Sequence, residues 1–153
     1  NPLHSNDAAR SCPVKALLPL AALRGIEAFS LQVGRRATEA AVLGLEDLSP
    51  LLTDYAETAA AVANLDMVVS VDTSVAHLAA ALGKPTWVML PHTPEWRWLR
   101  DRSDTPWYEC VRLFRQRSRG DWAGVVADVV HALASVQPSS RPASRSESLA
   151  AAV

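Results

Sequence analysis

The stretch Met67 to Leu90, MVVSVDTSVAHLAAALGKPTWVML, constrains the fold more than any other part of the chain. Met67, Val68, Val69 and Val71 form a short apolar run rich in β-branched residues, the pattern of a strand buried on both faces. Asp72, Thr73 and Ser74 break that run with three small oxygen-bearing side chains. Val75, Leu78, Ala79 and Leu82 then recur at i, i+3, i+4 and i+7, which predicts a helix with one apolar stripe. Gly83 suits the left-handed residue past a helix end, and Pro85 forbids continuation. Thr86 to Leu90 is a second apolar strand. A strand, a helix and a strand at this spacing make a βαβ unit, the building block of parallel sheets.

The chemistry of the unit lies at its first turn. The helix begins where the strand ends, so its unpaired N–H groups face outward past the carboxyl end of the sheet and attract anions, above all phosphates. Thr73 and Ser74 add hydroxyl donors, and His77 lies one turn in, off the apolar stripe. A bound pyrophosphate accounts for Asp72, Thr73, Ser74 and His77 together. The plainer alternative is a helix cap by Asp72, Thr73 or Ser74, with His77 as a surface residue.

Composition narrows the class. The chain has 153 residues, of which 49% are hydrophobic, enough for one domain with a real core. A net charge of −1 offers no global attraction to nucleic acid or membrane. No apolar run reaches the length of a membrane span. The opening NPLHSNDAAR is polar and lacks both an initiator Met and the pattern of a signal peptide, as in a segment drawn from a longer chain. Two cysteines, Cys12 and Cys110, are too few for a disulfide framework. They fit a reducing, cytoplasmic location, with a single disulfide as the alternative.

The remaining segments fall around the central unit. Asn1 to Ser11 reads as a polar loop, and Pro13 opens a helix whose course Pro19 kinks before Arg24 and Gly25 end it. Ile26 to Gln32 is a strand. Gln32 and Glu39 lie beyond its carboxyl end, where doubly wound folds place a polar residue against a ribose; a polar strand end with no ligand is the alternative. A short helix over Arg35 to Ala41, a weak strand over Val42 to Leu45 and a loop to Thr53 follow. Asp54 and Glu57 have capping-box spacing before an alanine-rich helix that runs to about Asn64.

Past Leu90 the sequence mixes Trp96, Trp98, Trp107 and Tyr108 with arginines, and residues 97–119 carry a local charge of +4. Such mixtures bind nucleic acids, sugars or phosphates, or form a loop pinned by its tryptophans with the arginines solvated, which is the expectation for most of them. No nucleic-acid-binding signature accompanies the charge. Trp96 and Arg97 follow directly from the strand end and are the better contact residues. Val111 to Phe114 is a last short strand. Asp121 caps a helix with the stripe Trp122, Val125, Val126, Val129, Val130 and Leu133, which leaves Asp128 and His131 facing solvent. Residues 137–153 lack apolar periodicity and are expected to be a disordered tail after a domain over 1–136. His4, His77 and His92 have no compact metal-ligand spacing.

These motifs resemble a family. The run SVDTSVAHLAAALGKPTWVMLP, then PEWRWLRDR, DTPWY, RLFRQ and GDW, is similar to the C-terminal half of bacterial GT-B glycosyltransferases related to family 9, the ADP-heptose:lipopolysaccharide heptosyltransferases. It is closer still to the variant in which such a domain follows tetratricopeptide repeats. Arg10-Ser-Cys-Pro13 has the spacing of that family's Lys-x-x-Pro loop, with Arg for Lys, and Ser74 replaces its usual glycine. The resemblance implies a Rossmann-like α/β fold, a parallel sheet flanked by helices, and a nucleotide-diphosphate sugar as donor substrate with no cofactor or metal. Asp72, Thr73, Ser74 and His77 would surround the pyrophosphate, Arg10 would neutralise it, and Gln32 and Glu39 would lie near the nucleoside. The departing diphosphate gains negative charge, which helix N–H groups, His and Arg can stabilise.

The resemblance assigns the general base to an N-terminal GT-B half, so this segment alone would be inactive and its partners would be that half or a repeat segment. It also places a first, central strand before Asn1. That predicts a gap, or an improvised neighbour, beside Met67 to Val71. The competing reading is a non-catalytic interaction module of the same fold, which uses the Trp/Arg loop 94–119 to hold a protein or acidic partner. A sugar-nucleotide epimerase, which shares the architecture, is a third and weaker reading.

Overall fold

A computed structural model describes residues 7–135 and the backbone of 148–152. In chain order its elements are α1 (Asp7–Arg10), a 3₁₀ turn over Val14–Leu17 that runs into α2 (Leu18–Ala21), β1 (Glu27–Ser30), α3 (Glu39–Leu43) and β2 (Glu46–Asp47). There follow α4 (Tyr55–Ala63), β3 (Met67–Val71), α5 (Ser74–Ala81), β4 (Thr86–Leu90), β5 (Val111–Arg115), α6 (Trp122–Ser135) and β6 (Ser148–Ala152). The strands form one parallel sheet in the order β2-β1-β6-β3-β4-β5. With helices on both faces this is an α/β, Rossmann-like architecture.

The central βαβ unit forms as its pattern requires. Val68 pairs with Thr86 and Val71 with Met89 across β3 and β4, and Gly83 turns the chain at φ +71°. Alternation divides the strands between two faces. Val69, Val71, Trp87, Met89 and Phe114 pack with Leu17, Leu20, Trp122, Val125, Val126 and Val129, so α6 and the Val14–Ala21 segment cover one face. Val68 lies on the other face with Leu31, Val62 and Ala79, and Val88, Leu90, Val111 and Leu113 meet Ala76, Ala80 and Trp98 there.

Two caps form where the sequence puts them. Asp54 Oδ1 accepts from the Glu57 N–H at 2.8 Å and Asp121 Oδ1 from the Gly124 N–H at 2.9 Å. Such caps contribute about 1 kcal/mol each.

Several expectations need correction. The buried stripe of α5 is Ala76, Ala79 and Ala80, whereas Leu82 is exposed; small side chains let the helix sit close to the sheet, which rotates the larger ones outward. Val42 and Leu43 end α3, and the strand expected at 42–45 forms one step later as Glu46–Asp47 because Gly44, at φ +67°, ends the helix. The helix expected over Arg35 to Ala41 splits into a 3₁₀ turn at Gly34–Arg36 and α3. The loop over Asn1 to Ser11 winds a helical turn at Asp7–Arg10, and its first six residues, His4 included, lie outside the described residues.

The largest difference is at the centre of the sheet. The order 3-2-1-4-5-6 leaves a slot between β1 and β3, and β6 fills it. Ser148 pairs with Glu27 on one side, and Leu149 pairs with Met67 on the other. The sheet therefore has an improvised neighbour there and no gap. Of the segment expected to be a tail, Ser148–Ala152 is the strand β6, and residues 137–147 and 153 lie outside the described residues.

Arg100, Arg112, Arg117 and Arg119 are exposed, as expected, but Arg115 departs from that expectation. Arg115 donates from Nη2 to the Trp98 carbonyl at 2.6 Å and from Nε to the Arg102 carbonyl at 3.1 Å, pinning the connection between β4 and β5. Arg112 lies over the Trp87 and Phe114 rings. Arg117 pairs with Asp128, which therefore has a partner on the surface.

Candidate diphosphate site at the start of α5

β3 delivers Asp72 and Thr73 to the amino end of α5. Thr73 occupies the N-cap position in extended conformation but makes no capping hydrogen bond. Its hydroxyl lies 2.9 Å from the hydroxyl of Ser70, a residue fully buried in β3, which also donates to the Val71 carbonyl. Ser74, the first helical residue, is exposed. Among the described residues no side chain accepts from the N–H groups of Ser74, Val75 or Ala76, so this helix end keeps its donors and its positive partial charge.

Asp72 does not plug that end. Its carboxylate is buried and turns to His77, with Oδ1 3.6 Å from Nε2. Burial pushes the Asp72 carboxyl up, but His77 and the Trp98 indole N–H beside it, with the charges of His77 and Arg97, outweigh that and hold it below the ordinary carboxylate range. The indole N–H approaches without completing a hydrogen bond.

Arg10 reaches the same place from the opposite end of the chain. Its Nη1 donates to the Asp72 carbonyl at 3.0 Å, while Nη2 faces Asp7 at 3.3 Å. A guanidinium, an open helix terminus and an imidazole thus gather at one strand end, a donor set suited to a diphosphate.

His77 connects this end to a second feature. Its Nδ1 lies 3.2 Å from the Tyr108 hydroxyl, and its ring stacks on Trp98 with centroids 5.1 Å apart. His77, Trp98 and Tyr108 line a cavity of about 470 Å³ with Trp96, Arg97 and Trp107. Trp96 and Trp107 meet edge to face at 6.4 Å, Trp107 Nε1 donates to the Arg97 carbonyl, and Arg97 pairs with Glu95.

The structure therefore brings Arg10, Asp72, Thr73, Ser74 and His77 to one end of α5, and Trp96 and Arg97 to the adjoining cavity. Gln32 stands apart: it follows β1, its N–H donates to the Ser30 hydroxyl, and it does not line the cavity. Glu39 sits in the first turn of α3, 3.8 Å from Arg36. Tyr108, Trp98 and Trp107 were not among the expected site residues. The signal for them was the cluster of aromatic residues in the β4–β5 connection, which also serves to pin a loop. Among the described residues no group of His, Cys, Asp and Glu has the arrangement of a metal site.

No curated protein and no solved structure matches this chain. Residues 44–115 match the family model of glycosyltransferase family 9 (heptosyltransferase). The matched stretch contains β3, α5, β4 and β5 together with the aromatic cavity, and it supports a role in glycosyl transfer.

Proposed function

We propose that this chain is the donor-binding half of a metal-independent glycosyltransferase and holds the diphosphate of a nucleotide sugar at the amino end of α5. One observation carries the proposal: among the described residues no side chain caps the amino end of α5, while Arg10, from α1, is anchored on the Asp72 carbonyl beside it. The helix N–H groups, Arg10 and His77 would stabilise the charge that develops on the departing diphosphate. Gln32 past β1 is the candidate for the nucleoside end. The general base and the acceptor site belong, by the family resemblance, to a separate N-terminal half, so the chain alone binds donor without turning it over.

Calorimetric titration with ADP, GDP and UDP tests the proposal. Saturable binding by at least one, weakened by His77→Ala, is expected. Absence of binding by all three in a folded protein would refute it. That outcome would favour a non-catalytic module that engages a partner through the 94–119 loop, a second reading supported by the exposure of Trp96 and Trp107.

A further inference from the structure

The α5 terminus has two flanks, and they differ in chemistry. On one side of β3 lie β6 and β1, with Gln32 just beyond β1. Doubly wound folds place the ribose contact past such a strand. On the other side lie β4, β5 and the aromatic cavity reached through His77. A ligand whose diphosphate sits between the flanks, with its nucleoside toward β1, sends its other end toward the cavity.

We infer that this cavity receives the sugar of the donor, with one face of the ring laid on Trp96 and Trp107; the inference rests on the diphosphate reading above. Trp96 is 69% exposed and Trp107 56%, an unusual state for two indoles in contact. Both are held in place. Their rings are nearly perpendicular at 88°, and the one polar side-chain atom of Trp107 is tied to the Arg97 carbonyl at 2.9 Å. What remains outside is preorganised apolar surface, which costs little entropy to use.

The rest of the lining is polar at points. The Tyr108 hydroxyl and His77 ring form one edge. A sugar ring offers the matching pattern of apolar C–H faces and hydroxyl rims. The cavity suits an acidic polymer less well, because the Arg97 charge is already paired with Glu95. A nucleobase also stacks on aromatic rings, so the experiment must separate base from sugar.

The probes are ADP, GDP and UDP, each alone and as its conjugate: ADP-glucose, GDP-mannose and UDP-glucose. For the nucleotide that binds, its conjugate is expected to bind more tightly than the bare diphosphate. Trp96→Ala and Trp107→Ala should cut that conjugate's affinity by about tenfold and leave the bare diphosphate unchanged. The extra fluorescence change on adding the conjugate rather than the bare diphosphate should be lost in Trp96→Ala and Trp107→Ala. Equal weakening of conjugate and bare diphosphate would place the base in the cavity and overturn the inference. Unchanged affinity for both, or a conjugate no tighter than its parent, would overturn it and leave the diphosphate reading standing. Failure of every probe to bind would refute both.

Discussion

Arg10 and Asp72, sixty-two residues apart in the chain, meet where the Arg10 guanidinium donates to the Asp72 main-chain carbonyl at 3.0 Å. The bond engages a carbonyl, so the Asp72 carboxylate is left to His77, and the cation is fixed beside the start of α5 without being neutralised by Asp72. Asp7 accepts a second bond from Arg10 at 3.3 Å and completes the positioning.

Removing this cation should act on the phosphates more than on the rest of a ligand. Arg10→Ala is expected to weaken a nucleoside diphosphate by roughly tenfold, the size of one charge-assisted hydrogen bond. Affinity for the matching nucleoside should change little, and Arg10→Lys should restore part of the loss. Calorimetry on both ligands decides it; equal losses would show that Arg10 shapes the fold and does not meet the diphosphate.

Asp72 gives a pH dependence of stability with a definite sign. Its folded carboxyl lies below its ordinary value of 3.8, so it contributes stability above that pH and loses it as pH falls through the folded value. The melting temperature of the parent protein should therefore exceed that of Asp72→Asn at neutral pH, and the difference should shrink below about pH 4. Calorimetric melts between pH 7 and the acid limit measure it. A difference independent of pH would contradict the contact with His77 and Trp98.

The central unit was legible because each level of the sequence agrees there. β-branched residues, a helical period, Gly83 and Pro85 all point to strand, helix and strand, and Met67–Val71, Ser74–Ala81 and Thr86–Leu90 form accordingly. That Arg10 belongs near Asp72 was implied by the Arg-x-x-Pro spacing that the family resemblance picks out, but their hydrogen bond was not, since periodicity carries no information about contacts between distant segments. The packed face of α5 was foreseen only through Val75 and Ala79, because Ala76 and Ala80 contribute little to a hydrophobic stripe yet fit close to a sheet. Arg115 looks like a surface charge in sequence, but its long stem lets it donate to the carbonyls of Trp98 and Arg102 from within. The cavity-lining residues Trp98 and Tyr108 were hidden for the opposite reason: an aromatic side chain that pins a loop and one that lines a cavity leave the same trace.

The two thiols should differ sharply in reactivity. Cys12 is fully buried in the core under α6, and burial pushes its thiol up to about 12. Cys110 is half-buried, and its Sγ donates to the Ala80 carbonyl at 3.4 Å. Both are free. At pH 8 an aromatic disulfide reagent should label at most one thiol in the native protein, Cys110, and the second only after denaturation, because Cys12 is neither accessible nor ionised. Rapid release of two equivalents from folded protein would show that the packing around Leu17, Leu20 and Trp122 is looser than described.

The strand that completes the sheet at its centre is weak by composition. β6 reads Ser-Leu-Ala-Ala-Ala, and alanine is depleted in strands, whereas its neighbour β3 reads Met-Val-Val-Ser-Val. Both β1 and β3 nevertheless take their inner pairing from it. A chain ending at Ser135 would leave two inner strand edges without partners, and unpaired backbone of that kind is costly and prone to intermolecular pairing. Truncation there should abolish a single cooperative melting transition and give aggregates on size-exclusion chromatography. Replacing Leu149 by proline in the full chain should do the same, since a proline cannot donate within an inner strand. A truncated chain that stays monomeric and melts at the parent temperature would show that Ser148–Ala152 is not what holds β1 against β3.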